Sequence, residues 1–294
     1  MSTAPAAQEV VQDTARLFPY GKWEAGLPAL ARQYRENKPC PHILLKDFLD
    51  PHTALAMAQQ FPQPTSDAWT QYKHANENKL GMPKRELFPA AIRAVTDELN
   101  SPEFVAWISE LTGIPHLMAD PMLEGGGLHQ SGPGGYLNVH TDFSVHHFNT
   151  NWRRRVNLIL YLNPGWHDEW GGALELWERK MARCAAKYPP LLNHALIFTT
   201  DERSLHGFPD PLTCPEGESR KSLALYYYTL QQDKDKKVAV HSTDYFARPQ
   251  DGWGKSAMIW LDKKAVDLYS RAKARFGFSD EFASRVLGFL SKKK

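Results

Sequence analysis

The chain has 294 residues, 42% of them apolar and 23% charged, with a formal net charge of +2. That composition is ordinary for a soluble globular protein with room for one large core, and so balanced a charge gives no broad positive field for nucleic acid or a membrane surface. Three widely separated cysteines, Cys40, Cys184 and Cys214, exclude a disulfide framework and a CxxC metal or redox site, and point to a reducing cytoplasm.

Residues 1–15, rich in Ala and Gln and without a signal-like apolar run, read as a disordered leader. Residues 16–294 read as one domain: helical support over 16–114, a β core over about 115–247, and C-terminal helices over about 257–291. His42 to Leu49 has the texture of a strand. Asp50-Pro51 then supplies an N-cap and a proline at the first helical position, for a helix running to about Phe61. Residues 62–85 are polar and broken by Pro62, Pro64 and Pro83, and read as a long loop. Two helices follow, from about Pro89 to Leu99 and from Pro102 to about Leu111; the second has Ser101 as cap and Gly113 as stop.

From Ile114 short β-branched and aromatic runs alternate with Gly/Pro turns. Strand candidates are Tyr136–His140, Val156–Leu162, Ala173–Trp177, Ala195–Thr199 and Ser222–Leu230, a spacing that suggests an all-β sandwich or jelly roll. Between the first two, Ser144–Arg155 is long, polar and basic, and reads as a solvated loop. Ala257 to about Phe276 and Asp280 to Leu290 return to a helical pattern, which offers a surface for a homodimer. No run approaches membrane-spanning length.

The chemistry concentrates at His140-Thr141-Asp142. Residues two apart on a strand share a face, so an imidazole and a carboxylate can meet one ion there. His206 supplies a second imidazole. Two histidines and a carboxylate leave other positions open, as in iron(II) oxygenases; zinc is the competing metal. Arg220 opens a later strand and can pair bidentately with a carboxylate, and Ser222 shares its face. A metal with open positions beside a cation suits a co-substrate that chelates at one end and carries a carboxylate at the other, as 2-oxoglutarate does.

Residues from about 115 to 230 resemble the prolyl-hydroxylase-like branch of the iron(II)/2-oxoglutarate-dependent oxygenases. The resemblance is carried by His140-x-Asp142, Tyr161-Leu162-Asn163, Trp166, Gly171-Gly172, His206 and Arg220, in that order. It implies a mainly β fold with flanking helices around a double-stranded β-helix (jelly roll) core. It also implies iron(II) on His140, Asp142 and His206, with Arg220 on the distal carboxylate of 2-oxoglutarate. Tyr161 is expected beside that carboxylate and Tyr136 near the co-substrate. The implied activity consumes O2, converts 2-oxoglutarate to succinate and hydroxylates an unactivated C–H bond of a peptide or small molecule; an aspartate at 142 frees no position for a halide. Asn138, by strand alternation, with His146 and Trp166, are the candidate substrate contacts. Two other readings are a cupin-like binding or sensing protein without turnover, and a zinc-dependent hydrolase or isomerase on the same scaffold.

Overall fold

The computed structural model describes residues 16–201, 203–231, 243–261 and 264. The expected leader, most of the first C-terminal helix and all of the second lie outside them; residues 253–261 are helical. Helices α1 (Tyr20–Glu24), α2 (Leu27–Glu36), α3 (Pro51–Gln59), α4 (Ala90–Leu99) and α5 (Pro102–Thr112) form the helical part. Their ends follow local chemistry. The Asp50 carboxylate accepts hydrogen bonds from the His52 and Thr53 amides at the start of α3, Ser101 Oγ accepts from the Phe104 amide at the start of α5, and Gly113 closes α5 in the left-handed region.

The strands are β1 (His42–Leu45), β2 (Thr70–His74), β3 (Glu77–Met82), β4 (Met118–Ala119), β5 (Gly127–Ser131), β6 (Tyr136–Thr141), β7 (Trp152–Tyr161), β8 (Leu174–Trp177), β9 (Cys184–Tyr188), β10 (Ala195–Thr199), β11 (Leu205–Phe208), β12 (Arg220–Leu230) and β13 (Asp244–Tyr245). They pair antiparallel in the order β1-β10-β7-β12-β5-β3-β6-β11-β8-β9, with β2 on β3, β4 on β12 and β13 on β6. The sheet curls into a nearly closed jelly-roll barrel. Alternation gives it two faces. Along β12, Leu223, Leu225 and Tyr227 turn outward into the helical layer, packing with Phe104, Trp107 and Leu111, while Arg220, Ser222, Ala224 and Tyr226 turn into the barrel.

Two expected loops carry strands. Residues 62–85 contain the β2–β3 hairpin, whose polar sequence has no apolar alternation; β2 is exposed throughout, whereas β3 pairs with β5 and β6, and this tertiary pairing makes it a strand. Ser144–Arg155 is not simply a solvated loop either. Its last residues open β7, and Arg154, in a basic triplet that suggested a water-facing run, is only 2% exposed.

Candidate active site

His140 on β6 and His206 on β11 are direct partners across the sheet, and Asp142 follows β6 by one residue. The imidazole centres lie 4.4 Å apart; His140 Nε2 is 3.5 Å from Asp142 Oδ1, and His206 Nε2 is 3.5 Å from Asp142 Oδ2. Each Nδ1 is held by a main-chain carbonyl two residues back, Asn138 O at 2.9 Å and Ser204 O at 2.8 Å. A carbonyl can only accept, so Nδ1 carries the proton and the Nε2 lone pairs face Asp142, the arrangement a metal ligand requires. Burial, then the neighbouring His140, push the His206 pKa down to about 4 against the pull of Asp142. Burial alone would raise the Asp142 pKa, but the Arg154 guanidinium beside it holds the carboxyl well below its usual range. Two neutral imidazoles and one carboxylate, their ligand atoms within 4.8 Å of one another, suit a first-row divalent metal.

The triad opens into a cavity of about 210 Å³ that Arg220 and Ser222 also line. Arg220 is 5% exposed; its Nε donates to Gly172 O at 2.7 Å and a terminal nitrogen to Tyr161 Oη at 3.3 Å. The guanidinium carbon lies 4.2 Å from the centre of the Phe208 ring. Among the described residues no carboxylate pairs with it, and burial lowers its pKa with only Tyr161 opposing. A buried guanidinium with donors to spare in a metal-facing cavity suits the carboxylate of a chelating co-substrate. The Gly171-Gly172 pair has a physical reason here: a Cβ on Gly172 would stand 2.7 Å from the Leu212 side chain and 3.0 Å from Arg220 Cδ.

Four expected site residues lie elsewhere. Alternation should place Tyr136 and Asn138 on the face of His140, but Leu137 lines the cavity instead. The reason is a β-bulge. His206 pairs with His140 and Phe208 with Leu137, so Asn138 and Val139 together oppose the single residue Gly207. The extra residue reverses the alternation. Tyr136 Oη donates to His74 O at 3.1 Å, and Asn138 Nδ2 to Asn76 Oδ1 at 3.2 Å; both brace the β2–β3 turn. His146 is fully buried, its Nδ1 accepting from the Phe148 and Asn149 amides, and shapes its own loop. Trp166 donates to Gly171 O at 3.0 Å and packs with Phe208 and Leu212 behind Arg220. Tyr161 is fully buried and reaches the site through its bond to Arg220.

The structure adds three residues that sequence patterns did not single out. Arg154 Nη2 lies 3.1 Å from Asp142 Oδ2, and Asn157 Nδ2 donates to the same oxygen at 2.7 Å. A second bulge, with Arg155 of β7 as the extra residue opposite Tyr227 and Tyr228 of β12, lets Arg154 and Asn157, three apart, both line the cavity. His129 on β5 faces the cavity opposite Ser222, and its shielded Nε2 has no hydrogen-bond partner. Their only sequence signal would have been β5 and the two bulges, neither legible from apolar periodicity.

Comparison with known proteins agrees with this geometry. Residues 126–228 match the 2OG-Fe(II) oxygenase superfamily. Comparison with curated proteins finds no match. Among solved structures, a prolyl hydroxylase from Trichoplax adhaerens, in complex with a hypoxia inducible factor oxygen degradation domain peptide fragment, is 20% identical with a TM-score of 0.52, covering 71% of this chain and 91% of that one. Prolyl 4-hydroxylase from Phytophthora capsici is 18% identical with a TM-score of 0.51, covering 76% and 70%. At these identities the likeness is one of fold. The superfamily matched over residues 126–228 is one whose enzymes use iron(II), 2-oxoglutarate and O2.

Proposed function

We propose that His140, Asp142 and His206 hold iron(II), that Arg220 with Ser222 holds the distal carboxylate of 2-oxoglutarate, and that the enzyme hydroxylates an unactivated C–H bond. The observation that carries this is Arg220, a buried cation that pairs with no carboxylate among the described residues, facing the same cavity as the triad. Bound iron(II) with 2-oxoglutarate supplies the activation of O2. The chain's own residues orient and enclose. The backbone carbonyls of Asn138 and Ser204 fix the imidazole tautomers, Gly172 O and Tyr161 Oη fix the guanidinium plane, and Leu137, Ile159, Leu174 and Phe208 provide an apolar wall that limits water around the co-substrate. Tyr72, Lys79, Gln130 and Tyr245 also line the cavity and are left for the substrate. A prolyl residue in a peptide is the first substrate to try, because the fold neighbours are named prolyl hydroxylases; free amino acids and natural-product-like small molecules follow.

Anaerobic addition of iron(II) and 2-oxoglutarate is expected to give a weak visible charge-transfer band, and admission of O2 to give succinate. His140→Ala should abolish both. Arg220→Lys, which loses the planar two-point grip, should keep the metal but need about tenfold or more 2-oxoglutarate, roughly 1.4 kcal/mol. A His140→Ala protein that retains the band and forms succinate at the wild-type rate would refute the assignment.

A further inference from the structure

A carboxylate ligand has two oxygens, and on Asp142 they are not equivalent. Oδ2 accepts from Asn157 Nδ2 at 2.7 Å and faces Arg154 Nη2 at 3.1 Å. Arg154 Nε donates to Asn157 Oδ1 at 2.9 Å, so the amide cannot turn without losing a bond at each end. The guanidinium is itself clamped: its carbon lies 3.4 Å from the centre of the Tyr226 ring and 4.5 Å from that of Phe143. Arg154, Asn157 and Asp142 thus form a closed, buried set in which each member's orientation is fixed by the other two.

We propose that Arg154 is a positioning residue which, directly and through Asn157, reserves Oδ2 and leaves Oδ1 as the single oxygen Asp142 offers to the metal. The proposal rests on the triad being a metal site. On a six-coordinate ion, two imidazoles and one carboxylate oxygen would leave three positions, enough for a chelating co-substrate and O2. An aspartate free to bind through both oxygens would consume one, so holding Oδ2 back keeps the full set available.

The test adds cobalt(II) chloride to the metal-free, full-length protein and records the visible d–d spectrum, whose intensity reports coordination number, followed by a titration with 2-oxoglutarate. Arg154→Gln should alter the cobalt spectrum and weaken 2-oxoglutarate binding about ten- to a hundredfold although Arg220 is intact. Arg154→Lys, which keeps a charge and a donor, should restore part of both. Asn157→Ala removes the hydrogen-bond donor to Oδ2 without removing a buried charge, so it tests the same oxygen should Arg154→Gln fail to fold. It should move both readouts in the same direction. If either folded variant shows the wild-type spectrum and unchanged 2-oxoglutarate affinity, the proposal is overturned while the metal site stands. If Arg154→Lys restores nothing, packing alone explains Arg154 and the proposal is overturned. Wild-type protein that takes up no cobalt would instead remove the metal site, and the proposal with it.

Discussion

A histidine enclosed between cations gains by staying neutral, and His129 is so placed. Burial first, then the Lys79 ammonium, push its pKa from 6.5 down to about 3; Arg220 adds to this and Glu77 opposes it. The folded pKa is therefore below the unfolded one, and the unfolded chain binds the extra proton. The stability associated with a neutral His129 is fully present above pH 6.5 and is lost as the pH falls from 6.5 toward 3. Within that window the loss is at most about 1.4 kcal/mol per pH unit for one proton. Denaturant unfolding between about pH 6.5 and pH 5 should show a shallower pH dependence in His129→Gln than in wild type. Parallel pH profiles would show that His129 takes up its proton in the folded protein as readily as in the unfolded one.

At the scale of elements, the site depends on one irregular strand pair. The β6 bulge brings Leu137 and His140 to the same wall, and it is possible because Gly207 opposes it: a Cβ there would lie 2.7 Å from Leu137 O and 2.9 Å from Asn138 O. Gly207→Ala must push the bulge away from β11, at a cost of about 2–3 kcal/mol. The expected result is a melting temperature lower by about 5–10 °C and, because His206 is the next residue, weaker metal binding measured by calorimetry at 25 °C. A variant that melts lower but binds metal as wild type would show that the bulge is structural only. The same pair explains where sequence reading succeeded and where it stopped. Ligand identity was legible, since His-x-Asp, a later His and an Arg are chemical statements that survive without geometry. The regular alternation of β12 was also legible, and it put Arg220 and Ser222 on one face, which lines the cavity. Tyr136 and Asn138 were misplaced because a bulge has no signature in apolar periodicity. Arg154 was concealed because a buried cation in a basic triplet looks like a solvated one until its partner, Asp142, is seen beside it.

Across the whole molecule, the curled sheet separates two environments. On the outside, α2, α4 and α5 cover an apolar face: Phe104 lies 4.9 Å from Phe18 and 6.2 Å from Tyr227, ring centre to ring centre, in a cluster with Leu158, Leu160, Leu223 and Leu225. On the inside, the alternate residues of the same strands, Asn157, Ile159, Ser222, Ala224 and Tyr226, line the cavity. Of the helical layer, α3, α4 and α5 were legible in sequence; α2, which no capping side chain opens, was not read as a helix, and β3 was missed because its strand character comes from pairing with β5 and β6. This division predicts that stability and ligand binding respond to different residues. Phe104→Ala removes a fully buried ring from the helical side and should cost about 3–5 kcal/mol, lowering the melting temperature by roughly 10 °C. Its β-strand neighbours keep their backbone pairing, so metal and 2-oxoglutarate affinities measured well below the transition should stay within twofold of wild type, an expectation of near-additivity between separate sites. Should the folded Phe104→Ala protein lose affinity for either, the sheet would be transmitting strain from the helical layer into the cavity, and the helices would have to be counted among the elements that shape the site.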